Sequence, residues 1–360
     1  MTGRQDDVAR PLANVEQCTA PWLTRVLHRA GALRRGDVQA VEHHTTCSTT
    51  ATVSHLVLRY APDAEGHRPD RLFLKISDGR RLPNLPDDFV LGDARFYARA
   101  AHVADSLPVP ACYDAAVDET GVRCHVLLED LAGTHASACA SDHPDRSRCH
   151  QMVQPLADFH AYWWGHTDLK RFGGLPEEEE PGRYVRSVQQ TLPGFLDAIG
   201  DSMSADARRD YEHFARDFGP AYASVFRPGH LTVIHGDAHP LNVLLPRSGT
   251  GCGRIIDWQF HHVTICTQDI RHTLGLHWPA EARRAIERDV LSHYHQRLVD
   301  RGVTGYTWDD CWHGYRVGAI DNLFMPMWQW TLEMPRDMWV PTIDRALAAV
   351  RHLHCHDLLS

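Results

Sequence analysis

Asp237, Asn242 and Asp257 are the residues around which chemistry can be built. They stand in Val233-Ile234-His235-Gly236-Asp237-Ala238-His239-Pro240-Leu241-Asn242-Val243-Leu244-Leu245 and in Arg254-Ile255-Ile256-Asp257-Trp258. Apolar runs of β-type composition bracket the three polar side chains and place them at the mouths of neighbouring strands. A carboxylate that takes a proton, set beside hard oxygen donors for a divalent cation, is what phosphoryl transfer from ATP requires. Asp237 suits the proton acceptor. Asn242 offers a neutral oxygen ligand five positions on, and Asp257 offers a charged one at the end of the next strand. The alternative for the same pattern is a buried turn with satisfied carboxylates.

Several elements must position this set. Leu72-Phe73-Leu74-Lys75-Ile76 is a short strand with one charge in an apolar run, and burying that ammonium is costly without a partner. Strand patterns also cover Val38 to Val41 and residues 50–58, separated by the hydroxyl-rich turn Thr45-Thr46-Cys47-Ser48-Thr49-Thr50. Pro108-Val109-Pro110 punctuates the chain before the strands Ala111 to Val117 and Arg123 to Leu128. Helical spacing marks Pro21 to Leu33, Asp88 to Val103 and Met152 to Trp164, as well as most of the chain beyond Pro279. Trp308, Trp312, Trp328, Trp330 and Trp339 cluster late, among Asp310, Asp321 and Glu333.

A chain of 360 residues, 43% apolar and 23% charged, is long enough for two lobes with separate cores. It has no apolar stretch of ~18 residues or more, so no membrane span is expected. Its net charge of −9 speaks against a general nucleic-acid binder. The polar, acid-bearing start from Met1 to Arg10 argues against a secretory signal. Ten cysteines without a CxxC pair read as reduced thiols, and a cytoplasmic location is expected. His352-Leu353-His354-Cys355-His356 could catch a transition metal or be an exposed tail.

His235-Gly236-Asp237, Asn242 and then Ile255-Ile256-Asp257 together resemble the catalytic and metal-binding loops of the aminoglycoside phosphotransferase and choline kinase group. Leu128-Glu129-Asp130-Leu131 and Phe159-His160-Ala161-Tyr162-Trp163 are closer still to the ecdysteroid-kinase-like branch. The resemblance implies an α+β, bilobal, protein-kinase-like fold. Residues 1–130 would form a small, mainly antiparallel β N-lobe, and residues 131–360 a larger, mainly helical C-lobe. It implies ATP and Mg²⁺ as cofactors, Asp237 as catalytic base, and Asn242 and Asp257 as Mg²⁺ ligands.

By the same resemblance Lys75 holds the α- and β-phosphates and Asp93 fixes it, where the group usually has a glutamate. The loop over the phosphates has no glycine, so hydroxyls of Ser48, Thr49 and Thr50 are expected to supplement backbone donors; the alternative is an ordinary hairpin turn. The backbone of Leu128 to Leu131, including Glu129 and Leu131, is the expected adenine-reading hinge. His235 would shape the catalytic loop, His239 would touch the γ-phosphate or the acceptor, and Asp269 would brace the loop through backbone N–H groups. His160 would be structural, and the late tryptophans with their acids would wall the acceptor. The expected activity is phosphorylation of a hydroxyl on an antibiotic or related secondary metabolite. A choline-like, sugar or steroid alcohol, or a non-catalytic nucleotide-binding module, are the alternatives. The expected partner is thus a small hydroxylated molecule, with neither nucleic acid nor membrane.

Overall fold

The computed structural model of the chain describes residues 10–47, 51–77, 89–138 and 145–359. Two compact units emerge, Met1–Ala136 with Pro246–Phe260, and Ser137–Leu245 with His261–Ser360. A single break after residue 130 is therefore not what the contacts give. The first unit runs on to Ala136 and takes back the later segment that carries Asp257.

Helix α1 (Ala20–Arg29) opens the first unit. The Thr19 side chain caps it by accepting the Trp22 N–H, and Pro21 in its first turn has no N–H to satisfy. The strands of the main sheet follow: β1 (Val38–Cys47), β2 (Thr52–Tyr60) and β3 (Arg71–Ser77), then β4 (Cys112–Val117) and β5 (Cys124–Glu129). They form one antiparallel sheet in the order β1-β2-β3-β5-β4. Alternation along β3 turns Leu72, Leu74 and Ile76 into a core with Trp22, Leu23, Val26 and Leu27 of α1. Phe73 and Lys75 consequently take the opposite face.

The β1 strand outlasts the expected stretch, continuing through Thr45 and Thr46 to Cys47. Threonine suits a strand as well as a turn, and Thr45 and Ser54 join hydroxyls across the pair at 2.9 Å. Ser48, Thr49 and Thr50, the proposed phosphate-loop hydroxyls, lie outside the described residues. Helix α2 (Gly92–Ala100) packs on β4 and β5. It starts four residues later than the spacing predicts, after the 3₁₀ turn Phe89–Leu91.

The second unit is mainly helical. Its α3 (Arg146–Trp163) packs on a long late helix, Ala280–Asp300, where Asp158 takes paired hydrogen bonds from both Arg297 and Arg301. Between these helices in sequence lie two short antiparallel strands, β6 (Leu231–Ile234) and β7 (His262–Ile265), with His262 opposite Ile234. Helix α4 (Thr267–Gly275) comes next, and α5 (Ala280–Asp300) and α6 (Trp308–Asn322) complete its surroundings. Among the described residues no helix is long and apolar enough to cross a membrane.

Candidate active site

In the first unit, Lys75 lies on β3 between Val53 and Val126 in register, on the face away from the α1 core. Its Nζ donates to Asp93 Oδ2 at 2.5 Å and to Asp257 Oδ1 at 2.7 Å. Burial alone would pull the ammonium pKa down, but the two carboxylates outweigh it and hold Lys75 above its ordinary value. Asp257 is the more open of the two, its side chain 41% exposed against 5% for Asp93, and its carboxylate oxygens are of the hard type that a divalent cation takes.

Asp93 reaches Lys75 directly, and a second contact explains why an aspartate suffices. Its other oxygen accepts the Trp258 N–H at 2.6 Å. The Trp258 indole stacks on Phe96 of α2 at 3.9 Å, with its Nε1–H on Ile255 O. Gly92 permits this closeness, because a Cβ there would fall 2.2 Å from the Gln259 carbonyl oxygen. With the helix start pressed against residues 257–260, the shorter acid spans the gap. Asp257 itself has φ of 68°, a left-handed conformation uncommon outside glycine and characteristic of strained functional positions.

In the second unit, β6 delivers the chain into His235-Gly236-Asp237. Gly236 takes φ of 82°, which a side chain would disfavour. The buried Asp269 of α4 braces the turn. Its carboxylate accepts the N–H groups of His235 at 2.7 Å and Gly236 at 2.8 Å, and bonds His160 Nε2 at 3.1 Å. Burial would raise the Asp269 pKa, but the His160 bond and charge, followed by the His235 contacts, hold it low. His160 is fully buried and also bonds the Tyr294 hydroxyl at 2.7 Å, the satisfied core histidine that the resemblance implies.

Beyond the turn, the His239 N–H donates to Asp237 O, and Asn242 donates both its backbone N–H to His239 O and its Nδ2 to Asp237 O. With the amide nitrogen engaged, Asn242 Oδ1 is left, among the described residues, as the atom with free lone pairs, the donor a hard cation prefers. The Asp237 side chain remains 31% exposed. His272 Nε2 lies 3.1 Å from its Oδ1, and His239 Nε2 lies 3.5 Å from its Oδ2. Burial opposes ionisation of Asp237. The His272 hydrogen bond and the neighbouring imidazoles prevail and hold the carboxyl below the usual range.

Glu129 and Leu131 are engaged within the first unit. The Glu129 N–H donates to Ala111 O, and Leu131 O accepts from Thr134 and His135. Asp130 between them is a clasp, binding His55 and Arg71 and accepting the Ala132 N–H. Two of the three acids expected among the late tryptophans are also committed. Asp310 closes a capping box with Thr307 and pairs with Arg227, while Asp321 is buried against Arg271 and Tyr184. Trp308 and Trp312 carry the Arg288 guanidinium over their faces. Among the described residues, no group of three or more metal-binding side chains converges, which includes His352, His354, Cys355 and His356.

Sequence reading missed His272, Thr273 and His277. The first two stand three and four residues after Asp269, the spacing that puts all three on one helix face. Thr273 uses that position to donate from Oγ1 to Ala238 O.

The family model of the ecdysteroid kinase-like family matches residues 94–303, a span that holds Asp237, Asn242, Asp257 and Asp269 and begins just after Asp93. Solved structures of similar fold include choline kinase from Cryptosporidium parvum Iowa II, with TM-score 0.58 and 11% identity over 89% of this chain and 91% of that one. The GDP complex of an aminoglycoside 2′-phosphotransferase of type IIIa aligns at TM-score 0.55 and 11% identity, covering 89% and 93%. Plasmodium vivax ethanolamine kinase aligns at 0.53 and 9%, covering 88% and 84%. No curated protein matches the chain in sequence. The fold is thus the α+β kinase-like fold, and since the family model covers more than half of its length, the chain belongs to the ecdysteroid kinase-like family.

Proposed function

We propose that the chain is a Mg·ATP-dependent phosphotransferase acting on a hydroxyl of an antibiotic or related secondary metabolite. The observation that carries this reading is the Asp237 carboxylate, partly exposed yet held ionised by neighbouring imidazoles, on a loop braced by Asp269. A group used only to bind nucleotide has no need of a positioned base. Free thiols at every described cysteine fit a reducing, cytoplasmic setting.

When bound, Mg·ATP supplies an activated γ-phosphoryl group and a cation to neutralise its charge. Asn242 Oδ1 and the exposed Asp257 carboxylate are read as the oxygen donors for that cation, and Lys75 as the fixed positive charge for the phosphates. Asp237 accepts the hydrogen bond of the acceptor hydroxyl, orients it in line, and takes its proton as the new oxygen–phosphorus bond forms and ADP departs.

The family designation favours a second acceptor class, a steroid-like alcohol. The histidines around Asp237 and the pairing of Asp310 and Asp321 with arginines also suit an uncharged guest better than a polycation. The test is γ-phosphoryl transfer from Mg·ATP, followed by mass spectrometry, across hydroxylated antibiotics, steroid alcohols, aminoalcohols and sugars. Asp237→Asn is expected to lose about 10²- to 10⁴-fold in turnover, the usual worth of general-base catalysis, with the fold and ATP binding retained. Full activity in that variant would sink the reading.

A further inference from the structure

Both oxygens of Asp237 face imidazoles, but only one contact is a hydrogen bond of ordinary length. We propose that His272 is the positioning residue of Asp237: its Nε2–H holds Oδ1 and leaves Oδ2 as the atom that meets the acceptor hydroxyl. This rests on reading Asp237 as the base.

Three observations support the assignment. The first is geometric. His272 Nε2 lies 3.1 Å from Oδ1, whereas His239 Nε2 stands off from Oδ2 at 3.5 Å, beyond a good N–H···O distance. The second concerns the tautomer. His272 is buried, and its Nδ1 has no hydrogen-bond partner among the described residues. A proton on that nitrogen would be a buried donor left unpaired, which is costly. The favoured tautomer therefore carries its proton on Nε2, aimed at the carboxylate, and leaves the unpartnered Nδ1 unprotonated.

The third is rigidity. Helix α4 is tied to the catalytic loop on both sides of His272, by Asp269 to the His235 and Gly236 amides and by Thr273 to Ala238 O. On its far side Arg271 is fixed to Asn322 and Asp321 of α6. Rotation of the Asp237 carboxyl is thus referred to a helix that cannot shift independently of the loop. The charged and titratable groups facing this pair are His235 and His239 from the loop, and His277 just beyond α4, whose ring meets that of His272 edge-on at 5.2 Å. Arg345 adds positive charge near His277 and donates to Leu276 O. These surroundings favour an ionised Asp237.

The test compares His272→Leu, His272→Gln and Asp237→Asn in the full chain. Gln is chosen because its side-chain amide can place an N–H where Nε2–H stood. For Mg·ATP turnover, measured as transfer to any acceptor found or as hydrolysis to water, Leu is expected to lower kcat about 10- to 100-fold, the worth of one hydrogen bond to a charged group. KM for ATP should stay put, and Gln should recover most of the loss. The acidic limb of kcat/KM against pH should move upward in Leu, since the carboxyl loses the donor that favours its ionised form.

A readout independent of turnover is the carboxyl titration of ¹³C-aspartate-labelled protein, with the Asp237 signal identified by its disappearance in Asp237→Asn. That signal should titrate at higher pH in His272→Leu than in the wild type. An unmoved midpoint overturns the proposal, as does equal loss of kcat in Leu and Gln accompanied by a lowered Tm, which would mean packing alone. Full activity in Asp237→Asn fails the base reading instead, and the carboxyl titration still judges the contact.

Discussion

At the scale of single residues, the decisive feature of the first unit is that one ammonium is shared by two acids of unequal exposure. Lys75 as a charge needing a partner was legible in the sequence, because an ammonium in an apolar strand is too costly to bury without an acid or an anion beside it. The fit of Asp93 was not legible, since it depends on Gly92 and on a backbone N–H from a residue far along the chain. Both oxygens of Asp93 are spoken for, one by Lys75 and one by Trp258, in a space closed by the Gln259 backbone. Asp93→Glu, which restores the residue usual in related kinases, is therefore expected to harm this protein. The extra methylene must be fitted into a packed site, at a cost of about 1–3 kcal/mol. The measurement is urea unfolding of the variant; a midpoint equal to the wild type's would show that α2 can yield.

At the scale of elements, the strands and the catalytic loop were the readable part. Alternation in β3 and the apolar runs around Asp237 are local signals that tertiary structure only confirms. Helix α4 was read for its first acid alone, because a helix face becomes visible only once its partner is known. Asp269, His272 and Thr273 then form a stripe that grips one loop. Asp269→Asn tests how much the grip matters. An amide offers one acceptor oxygen in place of two, and its NH₂ would be turned toward N–H donors in a site that is 1% exposed. The loss is expected to be about 3 kcal/mol or more, in the range for breaking a buried charged cluster. Hydrogen exchange would find the effect concentrated in the amides of His235 and Gly236, whose protection should fall furthest. Uniform loss across the second unit would contradict a local brace.

At the scale of the whole molecule, the buried titratable groups set how the fold responds to acid. His277 is held well below its ordinary pKa, first by burial and then by the neighbouring His272 and His239. A group whose folded pKa is depressed contributes stability that is complete above its unfolded pKa, about 6.5 for histidine, and is lost as pH falls below it. Asp237, Asp269 and Asp158 are depressed too, so their contributions drain away in a lower window, beginning near the unfolded carboxylate value of about 3.9. Glu287 works the other way, because burial raises its pKa and acid favours it in the folded state. The protein should therefore lose stability in two stages, a shallow decline from about pH 6.5 and a steep one below about pH 4. His277→Phe separates the stages, since it keeps a ring of similar shape against His272 and removes the proton uptake. Each pKa unit of depression is worth about 1.4 kcal/mol, or roughly 1–2 °C of Tm in a chain of this length. The fall in Tm between pH 7.5 and pH 5.5 should shrink by about that much in the variant, while the steep stage below pH 4 stays in place. If the decline above pH 5.5 is the same in both proteins, the upper stage belongs to another of the 26 histidines, and the cluster beside Asp237 is already solvated enough to titrate normally.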